Sequence, residues 1–166
     1  MVTMDALRQL IRYHYRATAR CIGAAQTVEH LLHSPLDCGH GSVFATLAHM
    51  VGTDLLWSLR CREGICLNTI PDQNDFPSLD SMRDTLLEQR QAMLAFLLVL
   101  SPPDLERRIA YQSTDGLPRS NTLHEILLHM THHAAFHRGE LAMLLRLLGG
   151  KGNVDQFMRH LRKNPD

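Results

Sequence analysis

The stretch LHEILLHMTHHAAFHRGELAMLLRLL, Leu123 to Leu148, decides how this chain is read. Asn121 or Thr122 before it is a ready N-cap and Gly149-Gly150 after it a natural stop, so the stretch is one long helix. An α-helix turns about 100° per residue, so positions four apart lie only about 40° apart around the axis and about 6 Å apart along it. His133 and His137 therefore face the same way, and two imidazoles so placed reach a single divalent ion at about 2.0–2.1 Å. A third ligand has to come from another element. His132 is turned about 100° away from His133 and does not share its ion. His129, one turn before His133, is open to three roles: ligand, hydrogen-bond partner of a ligand, or buried residue. His124-Glu-Ile-Leu-Leu-His129 imitates the zinc-protease HExxH but is one residue too long, which sets its two rings about 140° apart and excludes that chemistry.

The chain has 166 residues, a length that suits one domain, residues 1–166, able to bury a real core. Lys plus Arg and Asp plus Glu each number 17, so bulk charge draws it neither to nucleic acid nor to a membrane surface. The start carries no basic cap followed by an apolar run, and the longest apolar stretch, Met93 to Leu100, is far shorter than the roughly 20 residues of a membrane span. The expectation is a soluble cytoplasmic protein. Cys21, Cys38, Cys61 and Cys66 form no CxxC pair and are expected to be reduced thiols. Eleven histidines are the compositional oddity.

From Thr3 to about His33, apolar residues including Leu7, Ile11, Tyr15, Ile22, Val28 and Leu32 recur every three or four positions, the pattern of a first helix ended by Ser34-Pro35. Tyr13, His14 and Arg16 fall on or beside its inner edge, where they are expected as half-exposed amphipathic side chains, with the lining of a cavity as the alternative. Asp37-Cys-Gly-His-Gly41 is loop material. Ser42 caps a second helix running to Arg62, with Gly64 as its stop. His49 sits in mid-helix, with Ala45, Thr46, Gly52 and Thr53 at helical spacing, all small enough to leave room for an ion and a substrate. Asp54 is a competing candidate in the same helix. Residues 64–77, with Pro71 and Pro77, read as a connector long enough to cross the bundle. Ser78 or Ser81 starts a third helix, which Ser101-Pro102-Pro103 stops. Between Leu105 and Asn121, the turn former Asp115-Gly116 suggests a short hairpin. Asn153 is a candidate cap for a short last helix containing Val154, Phe157, Met158 and Leu161. Four long amphipathic helices make an all-α fold, an antiparallel four-helix bundle.

Two segments carry a family resemblance: Leu47-Ala-His49-Met-Val-Gly-Thr-Asp-Leu-Leu-Trp57, and Leu128-His-Met-Thr-His-His133-Ala-Ala-Phe-His137-Arg-Gly-Glu140 followed by Leu144-Leu-Arg-Leu-Leu-Gly149. Together they resemble the DinB/YfiT-like family of metalloenzymes, which shares a name with an unrelated DNA polymerase that this sequence does not resemble. The likeness runs over nearly the whole chain. Its most specific parts are HxxxHRG and the upstream histidine followed eight residues later by tryptophan. The resemblance implies a four-helix bundle of unusual connectivity in which His49, His133 and His137 bind one divalent metal, zinc or nickel foremost, with iron or manganese as alternatives. It also implies a homodimer. The chain has Glu140 where the family usually has Gln, and His132 where Asn is common. At Glu140 a carboxylate is either a fourth ligand or, as favoured from sequence, the partner of a neighbouring arginine. Arg138 and Gly139 are assigned to structure, Gly139 as a site of close helix approach.

Three neutral imidazoles leave a divalent ion its full charge and an open position. Relatives include transferases and isomerases that use a low-molecular-weight thiol such as bacillithiol, mycothiol or glutathione, so the resemblance implies a metal-dependent thiol S-transferase or a related detoxifying, stress-response enzyme. A metal-dependent hydrolase with Glu140, Asp54 or His129 as base is the alternative, as is a non-catalytic, stress-associated metal-binding protein. With reference imidazole pKa values near 6.5, metal binding is expected to fail below about pH 6.

Overall fold

The computed structural model describes residues 3–113, 115–152 and 156–163. Four long helices are present: α1 (Met4–Ala25), α2 (Val43–Glu63), α3 (Leu79–Val99) and α4 (Leu123–Leu147). A hairpin of β1 (Arg108–Gln112) and β2 (Pro118–Thr122) precedes α4, and α5 (Phe157–Lys163) is short. Among the described residues, no helix is long and apolar enough to cross a membrane.

Polar side chains set the helix boundaries, because the first turn of a helix leaves N–H groups unpaired. The Thr3 hydroxyl accepts from the Ala6 N–H at 3.2 Å, and that of Ser42 from Ala45 at 3.1 Å. Both serines expected to start α3 take part, Ser78 as the cap and Ser81 reaching back to the Ser78 N–H. Before α4, Glu125 accepts from the Thr122 N–H at 2.9 Å. In the hairpin, Arg108 pairs with Thr122 and Gln112 with Pro118, and Gly116 takes a positive φ of 80° in the turn. Asn153 and Val154 lie outside the described residues.

Around the bundle, α1 packs on α3 and α4, and α2 packs on the same two helices. Consecutive helices α1 and α2 thus stand on one diagonal and touch only lightly, while α3 and α4 take the other. The buried side chains form one apolar cluster between them, with Leu7, Ile22, Leu47, Met82, Met93 and Leu127 fully enclosed. One polar link spans the diagonal: His14 of α1 meets both carboxylate oxygens of Asp54 on α2, at 3.0 and 2.8 Å, with both residues buried. This overturns the half-exposed reading of Tyr13 and His14. Tyr13 is buried as well, between the ring of Phe157 and the Arg138 guanidinium.

Two further expectations are corrected. The first α-helix stops at Ala25, not near His33; Gln26–Leu31 is a tighter 3₁₀ segment in which Val28 leaves helical geometry (φ −129°, ψ 32°). Two β-branched residues in succession, Thr27 and Val28, disfavour the α-helix, and the Thr27 hydroxyl donates to the Ala24 carbonyl at 2.7 Å. The connector over residues 64–77 does not cross the bundle, since it joins the adjacent helices α2 and α3; the diagonal crossing falls to residues 26–42.

The connector instead folds back on α2. A Cβ built on Gly52 meets the Pro71 carbonyl oxygen at 2.0 Å, so only glycine permits this backbone approach. Gly52→Ala is expected to push the connector off α2 and to lower stability by about 1–3 kcal/mol, read by denaturant unfolding.

Candidate metal centre

Adjacent packing of α2 and α4 puts the first half of α2 against the middle of α4. His49 from α2 and the pair His133 and His137 from α4 meet there. Their Nε2 atoms converge: His49 to His133 is 3.1 Å, and His133 to His137 is 3.2 Å. Two nitrogens bound at about 2.05 Å to one tetrahedral ion are about 3.3 Å apart, so these separations match the edges of a tetrahedral site. The helix arithmetic brings His133 and His137 to one face, and the helix packing sets the His49 ring beside them.

Proton bookkeeping tests whether a cation fits. The Nδ1 of His137 lies 2.8 Å from Glu140 Oε2. A carboxylate only accepts, so Nδ1 carries the proton and His137 Nε2 presents a lone pair. A neutral ring nitrogen holds either a proton or a lone pair, never both. The single Nε2 of His133 faces two other nitrogens, and one proton on it serves only one of those contacts well. A cation among the three nitrogens accepts every lone pair at once, and the residues present therefore fit a metal ion. Glu140 orients the His137 ring through this contact, as a carboxylate does behind a histidine that would bind a metal. Its partner is thus an imidazole and not the arginine favoured from sequence.

His40 is the residue the sequence reading missed. It lies in the turn before α2, where no periodicity aims a side chain, and its only advance signal was membership of a large histidine count. Its ring stacks on His49 with centroids 4.1 Å apart and stands 5.3 Å from that of His137. His40, His49 and His137 each offer a ligand atom within 4.8 Å of the others, and this three-histidine group could hold a metal ion. A cavity of about 220 Å³ opens beside them, lined by His40, Ala45 and His49 and by Ile70 to Gln73 of the connector. The small Ala45 leaves it room on the side of α2.

The other candidates lie elsewhere. His129 packs edge-on against Trp57 at 5.4 Å and stands 5.8 Å from His133, outside the lining of this cavity. Asp54 is engaged by His14. His132 is exposed and bonded to the Leu128 carbonyl, and His124 lies near the Leu105 carbonyl and Glu106. A Cβ on Gly139 would meet nothing within 4 Å, so the expected close helix approach is absent there. None of the four cysteines is in a disulfide, and burial pushes the Cys61 thiol up to about 12, which makes it a poor nucleophile.

Fold and site together define a class first: a helical bundle in which two neighbouring helices and one interhelical turn gather imidazoles able to hold a metal. The chain belongs to the DinB family, whose family model it matches over residues 4–164. A comparison with curated proteins gives no match.

Burial, followed by the neighbouring imidazoles, lowers His49 to about 4; burial, then His137 and His129, lowers His133 to about 4. In the unfolded chain both sit near 6.5. Between these values the unfolded state binds more protons, so stability rises with pH there. For metal-free protein this contribution is complete above about pH 6.5 and is lost as pH falls toward 4. Denaturant midpoints measured from pH 7 to pH 4 should fall accordingly, and less steeply in His49→Asn. The same shifts move the expected loss of metal from about pH 6 down toward pH 4. Removing the carboxylate that orients His137, with Glu140→Ala, should weaken zinc binding about 10- to 100-fold in a chelator competition.

Proposed function

We propose that this protein is a divalent-metal enzyme that joins the sulfur of a low-molecular-weight thiol to an electrophile, a detoxifying S-transferase. Zinc or nickel is the expected metal, since imidazole suits both. The observation that carries the reading is the convergence of the Nε2 atoms of His49, His133 and His137 beside an open cavity. In this reading those three residues hold the ion, and Glu140 keeps His137 in the tautomer that binds it. When bound, the ion supplies Lewis acidity that lowers the pKa of a thiol reaching it.

The protein's own groups do the rest. His40 lies on the cavity wall, and burial keeps its pKa below the usual imidazole value, so at pH 7 it is neutral and has a ring nitrogen free to take the thiol proton. The sulfur then bonds to the electrophilic carbon, and the leaving group departs with its electron pair. Asp72 and Gln73 border the cavity and are placed to bond ammonium and amide groups of the thiol. Hydrolysis is the weaker reading, because both carboxylate bases it would use are engaged, Asp54 by His14 and Glu140 by His137.

Purified protein should contain one divalent ion per chain by elemental analysis, and His49→Ala, His133→Ala and His137→Ala should each lose it. The metal-loaded protein should consume thiol in the presence of an electrophile, with the His137→Ala variant as control. His40→Ala should keep the metal and lose about 10²-fold in rate, as removal of a general base does. Loss of metal from His40→Ala would make it a ligand, and ester or amide hydrolysis without added thiol would overturn the transferase reading.

A further inference from the structure

A second cavity lies away from His40, His49, His133 and His137. It is about 680 Å³, and it opens between α1 and α3, on the opposite side of the bundle from the α2–α4 pair that carries them. That volume lies within the range of about 300–1,000 Å³ usual for small-ligand pockets. Five arginines line it: Arg12, Arg16 and Arg20 at four-residue steps along α1, and Arg83 and Arg90 two turns apart on α3. No carboxylate is among its lining residues. In a chain whose 17 basic and 17 acidic residues balance, this is a marked segregation of charge.

The floor between the arginines is apolar, built by Ala19, Leu86, Leu87 and Leu94, with Leu161 of α5 closing one end. Leu87 remains 46% exposed, a large aliphatic side chain in water at the bottom of a basic groove. Arg83 pairs with Asp80 at 2.9 Å, Arg16 meets Nδ1 of His160 at 3.0 Å, and Arg20 is engaged as well. Arg12 and Arg90 make no ion pair or hydrogen bond among the described residues. Long arginine stems cover apolar surface while their heads stay in water, so this groove offers an alkyl chain a floor and an anion a rim of forked donors.

We infer that the α1–α3 groove binds a single-chain amphiphile with an anionic head, a carboxylate or a phosphate monoester. Its tail lies along Leu86, Leu87 and Leu94, and its head is held by Arg12 and Arg90. Two other occupants fit less well. A second copy docking symmetrically through this face would set arginines against arginines. A nucleic acid strand needs exposed rings on which to stack, and Tyr15, the aromatic side chain among the groove-lining residues, is 1% exposed.

The test is displacement of a dansyl-labelled undecanoate from the full metal-loaded protein by unlabelled compounds below their micellar concentrations. Dodecanoate or dodecyl phosphate should displace the probe, and the stronger of the two identifies the head group. Dodecanol and dodecyltrimethylammonium should not. The exposed double variant Arg12→Ser/Arg90→Ser should bind about tenfold more weakly or worse, as loss of two charge-assisted contacts implies, with metal content and thiol consumption unchanged. Leu87→Asp should also abolish binding and leave the metal in place. Equal displacement by dodecanol, unchanged affinity in the arginine variant, or binding only of an oligonucleotide or of phosphatidylglycerol vesicles would overturn the inference.

Discussion

Three imidazole nitrogens turned toward one another at 3.1 and 3.2 Å form an arrangement that neutral rings cannot satisfy by hydrogen bonding alone. The lone pair of His137 is fixed there by Glu140, and burial resists the protonation that would relieve the conflict by charging a ring. A cation among the three nitrogens would resolve that conflict without a proton. Much of the surrounding structure supports that arrangement: the adjacency of α2 and α4, the small residues flanking His49, and the turn that brings His40 onto its face.

The bundle's connectivity is what makes the adjacency possible. With α1 and α2 on a diagonal, α2 is free to pack along α4, and the chain between the first two helices has to pass across the end of the bundle. That crossing carries His40. Across the core, the buried contact of His14 with Asp54 ties the diagonal pair together, and it occupies a carboxylate that would otherwise be the nearest acid on the helix of His49. Gly52 lets the following connector lie on α2, where Ile70 to Gln73 complete the cavity wall.

Much of this was legible in the amino-acid order. Helical spacing alone places His133 above His137, and capping residues such as Ser42 and Ser78 mark helix starts because the unpaired N–H groups need them. The short hairpin follows from Asp115-Gly116. What was not legible depends on tertiary neighbours. His40 sits in a turn without a period, so its direction is set by packing on His49 and by nothing local. Glu140 reads as the partner of an arginine until the tautomer of His137 is considered, and Tyr13 and His14 read as edge residues until α5 and Asp54 cover them. Gly139 and Gly52 look alike in sequence, yet only Gly52 meets another backbone.

Because His133 and His137 belong to α4, the last of the long helices, the order of synthesis constrains how the centre is filled. A ribosome releases His40 and His49 long before their partners, and at that stage two rings alone offer an ion only weak purchase. Tight capture has to wait until nearly the entire polypeptide has emerged and the fourth helix has docked beside the second. An ion held by these side chains would therefore be acquired late, once the bundle is finished.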